Sequence, residues 1–410
     1  MFLGLEVIDF QSNIVLKEIS FCIRRLREVK KSDIPKHPIV DELYKCVLSH
    51  FKVKINFNFN DEDMGPCIFL PDILNNHITN QDWVRGISEN EILKTLVEKK
   101  NIKGSVNLRT GIVAGIFCNY TSKLYFPITI LLNKKFIDEE LAAIILHEIG
   151  HLFIYFELMS RTVTTNQLLA SISRDIKGCN SAEEREVVFH RAKTKYNLKG
   201  LDEKELSKTT NKKVIETVIV TNIAKEMRSD LGGNIYDIGT AESMADQFAC
   251  RFGAAVHLAT GLEKLYREYK HIDFRTPFEF FSIEILKTIS AFIPIVGHLI
   301  FVIAIAHDSS EEPRYDKPGT RIRKLREQLV IKSKNKKINK EELQSILTDI
   351  SIIDNILKNI YDNTQFNNAI INVIISRKFT SQKEFQRKLE EIAINDIFLK
   401  SAELRTLGVK

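Results

Sequence analysis

The sequence predicts an α+β protein with an N-terminal α/β segment, a central core built on one motif-bearing helix, and a C-terminal helical module. Three observations carry this expectation. Val53, Ile55, Phe57 and Phe59 alternate with Lys54, Asn56, Asn58 and Asn60, the period of a strand with one buried face. Residues 138–156 join an acidic start to a long apolar run, the pattern of a buried helix. Leu343, Ile346, Leu347, Ile350, Ile353, Leu357 and Ile360 recur at helical spacing.

Taken in chain order, Ile14, Val15, Ile19, Cys22, Ile23 and Leu26 set out a first helix, and a second is expected from about Val40 to Phe51. The strand at 53–60 follows and ends at Asp61-Glu62-Asp63 and Gly65; the apolar run 67–70 is expected to pair back on it as a hairpin. Two more strands are expected at 112–117 and 124–132, joined as an antiparallel hairpin through Asn119 and Ser122. Asp138-Glu139-Glu140 then opens a helix, because acidic groups in a first turn complement its dipole. Residues 158–240 are polar and helix-prone, an insertion with turns near Gly178 and Gly232-Gly233, and another helix is expected from Ala241 to Gly253. The segment 333–339 reads as a solvated linker, and a last helix is expected at about 382–404. This organisation places domain boundaries at 1–100, 101–330 and 331–410.

Composition narrows the function classes. Hydrophobic residues make up 44% and charged residues 27% of 410, which excludes a disordered scaffold for the bulk of the chain. The net charge of +6 is local: nine Lys/Arg against one Glu lie between Arg321 and Lys340, and the remainder is slightly acidic. That strip lacks interleaved aromatics, so it is expected to be solvated and a nucleic-acid partner is not expected. The six cysteines contain no C-x-x-C pair, which excludes a cysteine-ligated zinc finger and suits buried thiols in a reducing compartment. The first residues, with Glu6 and Asp9, make a poor secretory signal, so the expected location is cytoplasmic, or a particle packaged from a cytoplasm. Residues 288–306 form an uncharged run of 19, close to the roughly 20 that span a bilayer. Pro294, Gly297 and His298 interrupt it and suit buried helices better than one clean span.

His147-Glu148-Ile149-Gly150-His151 is the strongest chemical signal. On a helix the two histidines stand at i and i+4 and leave the same face, where they can share one Zn²⁺, with Glu148 beside them as a base for water. Gly150 costs about 1 kcal/mol in a helix interior, which makes sense if another backbone passes close. A third protein ligand is needed. A glycine at 154 and a histidine at 157 would mark a metzincin, but Ile154 and Glu157 stand there; a thermolysin-like glutamate near Ser171 is missing as well. Glu242-Ser243-Met244-Ala245-Asp246 lies further on, in an apolar helical context. One of its two carboxylates can ligate the metal while the other accepts the free ring N–H of a ligand histidine.

The HEIGH motif, the later E-x-x-A-D and the QFACRFG that follows resemble the HtpX and CAAX-prenyl-protease group of gluzincin zinc metallopeptidases. The resemblance spans about residues 124–330. It implies a zincin-like metallopeptidase core in which His147, His151 and Glu242 ligate Zn²⁺, Glu148 is the general base and Asp246 orients a ligand. Residues 316–323 are similar to the terminal segment of that group, with Lys317 where a histidine usually stands, and Arg321 or Arg323 would then polarise the substrate carbonyl. The implied activity is zinc-dependent endopeptidase cleavage of a protein substrate, with 124–132 as the edge strand holding that substrate in extended form. Two other readings stay open. One is a zincin-fold structural component of a large assembly such as a phage particle, docking through its terminal modules; the other is a membrane-associated protease, resting on 288–306.

Overall fold

The computed structural model describes residues 9–61, 65–69, 104–107, 109–196, 201–211, 214–215, 218–219, 238–268, 318–335 and 338–371. The architecture among these is α+β, mostly helical with a small sheet. Two helices open the chain, α1 (Ile14–Arg27) and α2 (Pro38–Phe51), as the periodicity predicts. Pro38 at the first position of α2 suits a helix start, and Lys52 in the left-handed conformation ends it, its N–H bonding back to the Leu48 carbonyl at 3.0 Å.

The strands are β1 (Lys54–Asn60), β2 (Cys67–Phe69), β3 (Ser105–Val106), β4 (Val113–Ala114) and β5 (Thr121–Pro127). The main sheet runs β1-β5-β2, with β5 parallel to β1 and antiparallel to β2. This corrects both expected hairpins. The run at 67–69 pairs with β5 and not with β1. The 112–117 run yields only β4, which pairs with β3, because Gly115 at φ 70 turns the chain into a 3₁₀ segment, Gly115–Asn119. Phe117 from that segment stacks on Phe156 with centroids 4.8 Å apart, so its apolar area is buried on a helix instead of in a ladder. The third expectation to change is the edge strand. β5 is central, which explains its fully buried Leu124 and Phe126, and among the described residues β2 is at the edge; residues past Pro127 form a short helix, α3 (Ile128–Leu131).

The central element is α4 (Asp138–Lys177), 40 residues long. Asp138, Glu139 and Glu140 occupy its first turn as expected. Glu140 accepts the N–H of Ile137 at 3.0 Å, and Arg27 donates to Asp138 at 2.7 Å, tying the helix start to α1. From Leu141 to Phe156 every residue is buried, so this stretch has no polar face toward solvent. It is packed against α1, β2, α7 (Ile238–Arg251) and α8 (Ala255–Glu268). Further helices among the described residues are α5 (Ala182–Tyr196), α6 (Glu203–Ser207), α9 (Pro318–Ser333) and α10 (Lys340–Ile371).

Two hydrophobic clusters result. The larger unites α1, α2, the sheet, the first half of α4 and the inward faces of α7 to α10. The smaller gathers Ile172 and Ile176 from the far end of α4 with Phe189, Leu201 and Leu206, giving the insertion a core of its own. Ile346, Ile350, Ile353 and Leu357 of α10 belong to the larger cluster, spaced three and four apart against α9 and α8. One expectation of solvation is corrected here: Arg321 and Arg326 of the basic strip are buried as ion-paired groups, whereas Lys334, Asn335 and Asn339 of the expected linker are exposed, with Ser333 buried at its start and Ile338 packed partly on the core. Cys22, Cys67 and Cys250 are buried as expected, whereas Cys46, Cys118 and Cys179 are partly exposed. No helix among the described residues is long and apolar enough to cross a membrane. The 288–306 run, Lys317 and the expected 382–404 helix lie outside the described residues.

Candidate metal centre

The close approach of α4 and α7 builds the centre. A Cβ placed on Gly150 would lie 2.8 Å from the Ala245 Cα and 3.1 Å from the Phe248 Cβ. Only a glycine lets the two backbones meet so closely, which is the reason anticipated for a glycine inside this helix. The contact sets the ExxxD turn of α7 opposite the HExxH turn of α4.

Three ligand atoms converge there. His147 Nε2 and His151 Nε2 are 3.2 Å apart, and the two Glu242 oxygens lie 3.4 Å from one histidine each. Tetrahedral donors at roughly 2.0–2.1 Å from a zinc ion stand about 3.3 Å from one another. The observed separations and the two-nitrogen, one-carboxylate donor set therefore fit an ion of that size, and a metal ion could be held by these three residues. All three side chains are buried. Glu242 is the carboxylate that faces both histidines, which decides between the two acids of its motif.

Around this triad lies a set of charged partners. Asp246 Oδ1 stands 2.9 Å from His147 Nδ1, an ion-pair contact made off the ring's N–H axis, since that nitrogen has no aligned hydrogen bond. Arg321 reaches in from α9. It donates to Asp246 at 2.7 and 3.0 Å and to the Tyr266 hydroxyl at 3.0 Å, and it pairs with Glu242 at 2.8 Å. Arg321 is thus part of a buried ion pair and not a surface one. Arg323 follows two positions later, about 200° around the helix from Arg321, and does not share its direction.

The electrostatics follow from burial set against these charges. Burial works against ionising Glu242 and Asp246, but Arg321 and the histidines outweigh it and hold both carboxyls below their usual range. Burial likewise opposes a charge on His147, yet Asp246 and Glu242 overcome it and push the ring up to about 10. Glu148 goes the other way: burial dominates and raises its carboxyl, because the histidines compensate only in part. One Glu148 oxygen accepts the backbone N–H of Ile68, on edge strand β2, at 3.1 Å.

Of the residues singled out in the sequence, His147, Glu148, His151, Glu242, Asp246 and Arg321 meet at one point. Tyr266 and the Ile68 amide were missed. A backbone N–H leaves no mark in a sequence, and Tyr266 sits among ordinary helix residues on α8 with nothing to distinguish it. Comparison with known protein families, with characterised proteins and with solved structures gives no match to this chain. The functional reading rests on the residues themselves.

Proposed function

We propose that the chain is a zinc-dependent endopeptidase of gluzincin type, with His147, His151 and Glu242 as metal ligands and Glu148 as general base. The observation that carries this reading is the convergence of those three donors at zinc-like separations, with the raised carboxyl of Glu148 on the same helix one residue from His147. Bound zinc supplies an activated water at neutral pH and a positive charge toward the carbonyl oxygen.

The rest falls to the chain. Glu148, with its carboxyl raised by burial, is suited to take a proton from water and return it to the leaving amine. Asp246 stands 2.9 Å from His147 Nδ1, on the side of the ring away from the proposed metal, and its charge favours the ring there. Arg321 neutralises Asp246 and Glu242 together, which lets two carboxylates share one buried site. Strand β2 replaces 124–132 as the candidate substrate strand, since among the described residues it lies at the sheet edge and against α4. The test is metal content and casein cleavage for wild type and Glu148→Gln. One zinc in this centre with cleavage lost only in the variant supports the peptidase; a metal-free protein sinks the ligand set.

A second reading has its own support. The ligands, Glu148 and Asp246 are all buried, and Arg321 and Ile68 engage the very carboxylates that a peptidase needs. A zincin-like structural component of a larger assembly would look the same. Zinc bound with no cleavage by wild type favours that reading.

A further inference from the structure

Helices α1 and α2 pack side by side on the outer flank of the core, and both carry metal-ligating groups one turn apart. Cys46 and His50 stand at i and i+4 on α2; Glu18 and Cys22 stand at i and i+4 on α1. One Glu18 oxygen gathers two of these groups, lying 2.8 Å from His50 Nε2 and accepting the Cys46 S–H at 3.4 Å. The three donor atoms of Glu18, Cys46 and His50 all lie within 4.8 Å of one another. Glu18, Cys22 and Cys46 also line a surface cavity of ≈ 570 Å³.

We propose that Glu18, Cys46 and His50 form a second metal site, which takes a borderline-soft divalent cation, zinc foremost, and clips α1 to α2. The donor set selects the ion: one sulfur, one imidazole nitrogen and one carboxylate suit zinc and not magnesium or calcium. The charges balance. The cation displaces the thiol proton to solvent, a metal–sulfur bond replaces the S–H bond, and the Cys46 thiolate with the Glu18 carboxylate neutralises a +2 ion. Without the ion the site is held by protons. Burial and the nearby Glu18 carboxylate push the Cys46 thiol up, so it stays an S–H donor to Glu18. Three protein donors leave a fourth position for water.

The two centres differ in their donors, which makes the test independent of the peptidase reading. The first centre holds no sulfur. The full chain, stripped with a chelator and titrated with Co²⁺, should show a thiolate-to-cobalt charge-transfer band in the near ultraviolet. The band should persist in His147→Ala/His151→Ala and vanish in Cys46→Ser. Zinc content should fall by one ion per chain in Cys46→Ser and in His50→Ala, the latter a change at a half-buried side chain that leaves every cysteine in place. A cobalt spectrum without a thiolate band overturns the proposal. So does a band, or a zinc count, that is the same in wild type and Cys46→Ser.

Discussion

Glu148 keeps one oxygen on the Ile68 amide and lies beside two histidines, and the proposed function gives it the part of general base. Replacing it by Gln keeps the size and an acceptor for that amide. The expected result is a fall of at least a hundredfold in kcat with zinc content and thermal stability unchanged, read by peptide cleavage, metal analysis and a melting curve. Gly150 is the opposite kind of residue. A methyl there meets the Ala245 backbone at 2.8 Å, and overpacking of this sort costs about 1–3 kcal/mol, more than the gain in helix propensity. Gly150→Ala should therefore melt earlier and bind zinc more weakly, because α4 and α7 must move apart. Arg321→Met should be worse still. It leaves Glu242 and Asp246 without their shared cation, and breaking such a buried pair costs about 3–5 kcal/mol. Added zinc should recover part of that loss, which chemical denaturation with and without the metal would reveal.

At the scale of elements, what could be read in the sequence was what is periodic. α1, α2, β1, the start of α4, α7 and the inward face of α10 all followed from spacing and capping, and so did the facing histidines and the acid pair. Strand partners did not. The residues of 67–69 and 124–127 carry the right pattern for strands, but pairing is chosen by what each strand can cover. β5 takes the central place because Leu124 and Phe126 need burial, and Phe117 leaves its strand to stack on α4. The strip 321–340 misled for a related reason: charge counts do not show that Arg321 and Arg326 turn inward to buried or half-buried acids. One prediction belongs to the α9–α10 pair. Burial raises the Asp349 carboxyl to about 6, with Lys332 compensating only in part. A carboxyl raised on folding binds its proton more tightly in the native state, so it weakens the fold as pH climbs from about 4 to 6 and does so fully above that window. Asp349→Asn should stabilise the protein by about 1 kcal/mol at pH 7, the value being reduced for partial exposure, and the gain should fade as pH approaches 4 in urea titrations.

At the scale of the molecule, the candidate centre joins parts of the chain far apart in sequence: α4, α7 and, through Arg321, α9. An ion there would add binding energy to folding, about 4 kcal/mol when free zinc is a thousandfold above the dissociation constant. Chelation should lower the melting temperature without unfolding the protein at room temperature. The pairs His147–Asp246 and Arg321–Glu242 keep the charges matched when the ion is gone, and the larger core does not depend on it. A melting curve with chelator, then with zinc restored, checks both statements.

The Ile68 amide offers one more consequence. Its hydrogen bond goes to a side chain that the proposed chemistry would use, not to a neighbouring strand. Its rate of exchange with deuterated solvent is then governed by whether that carboxylate is present and facing it. A single backbone position on β2 becomes a natural probe of the centre: slow in wild type and in Glu148→Gln, fast in Glu148→Ala, and altered by any ligand that draws Glu148 away.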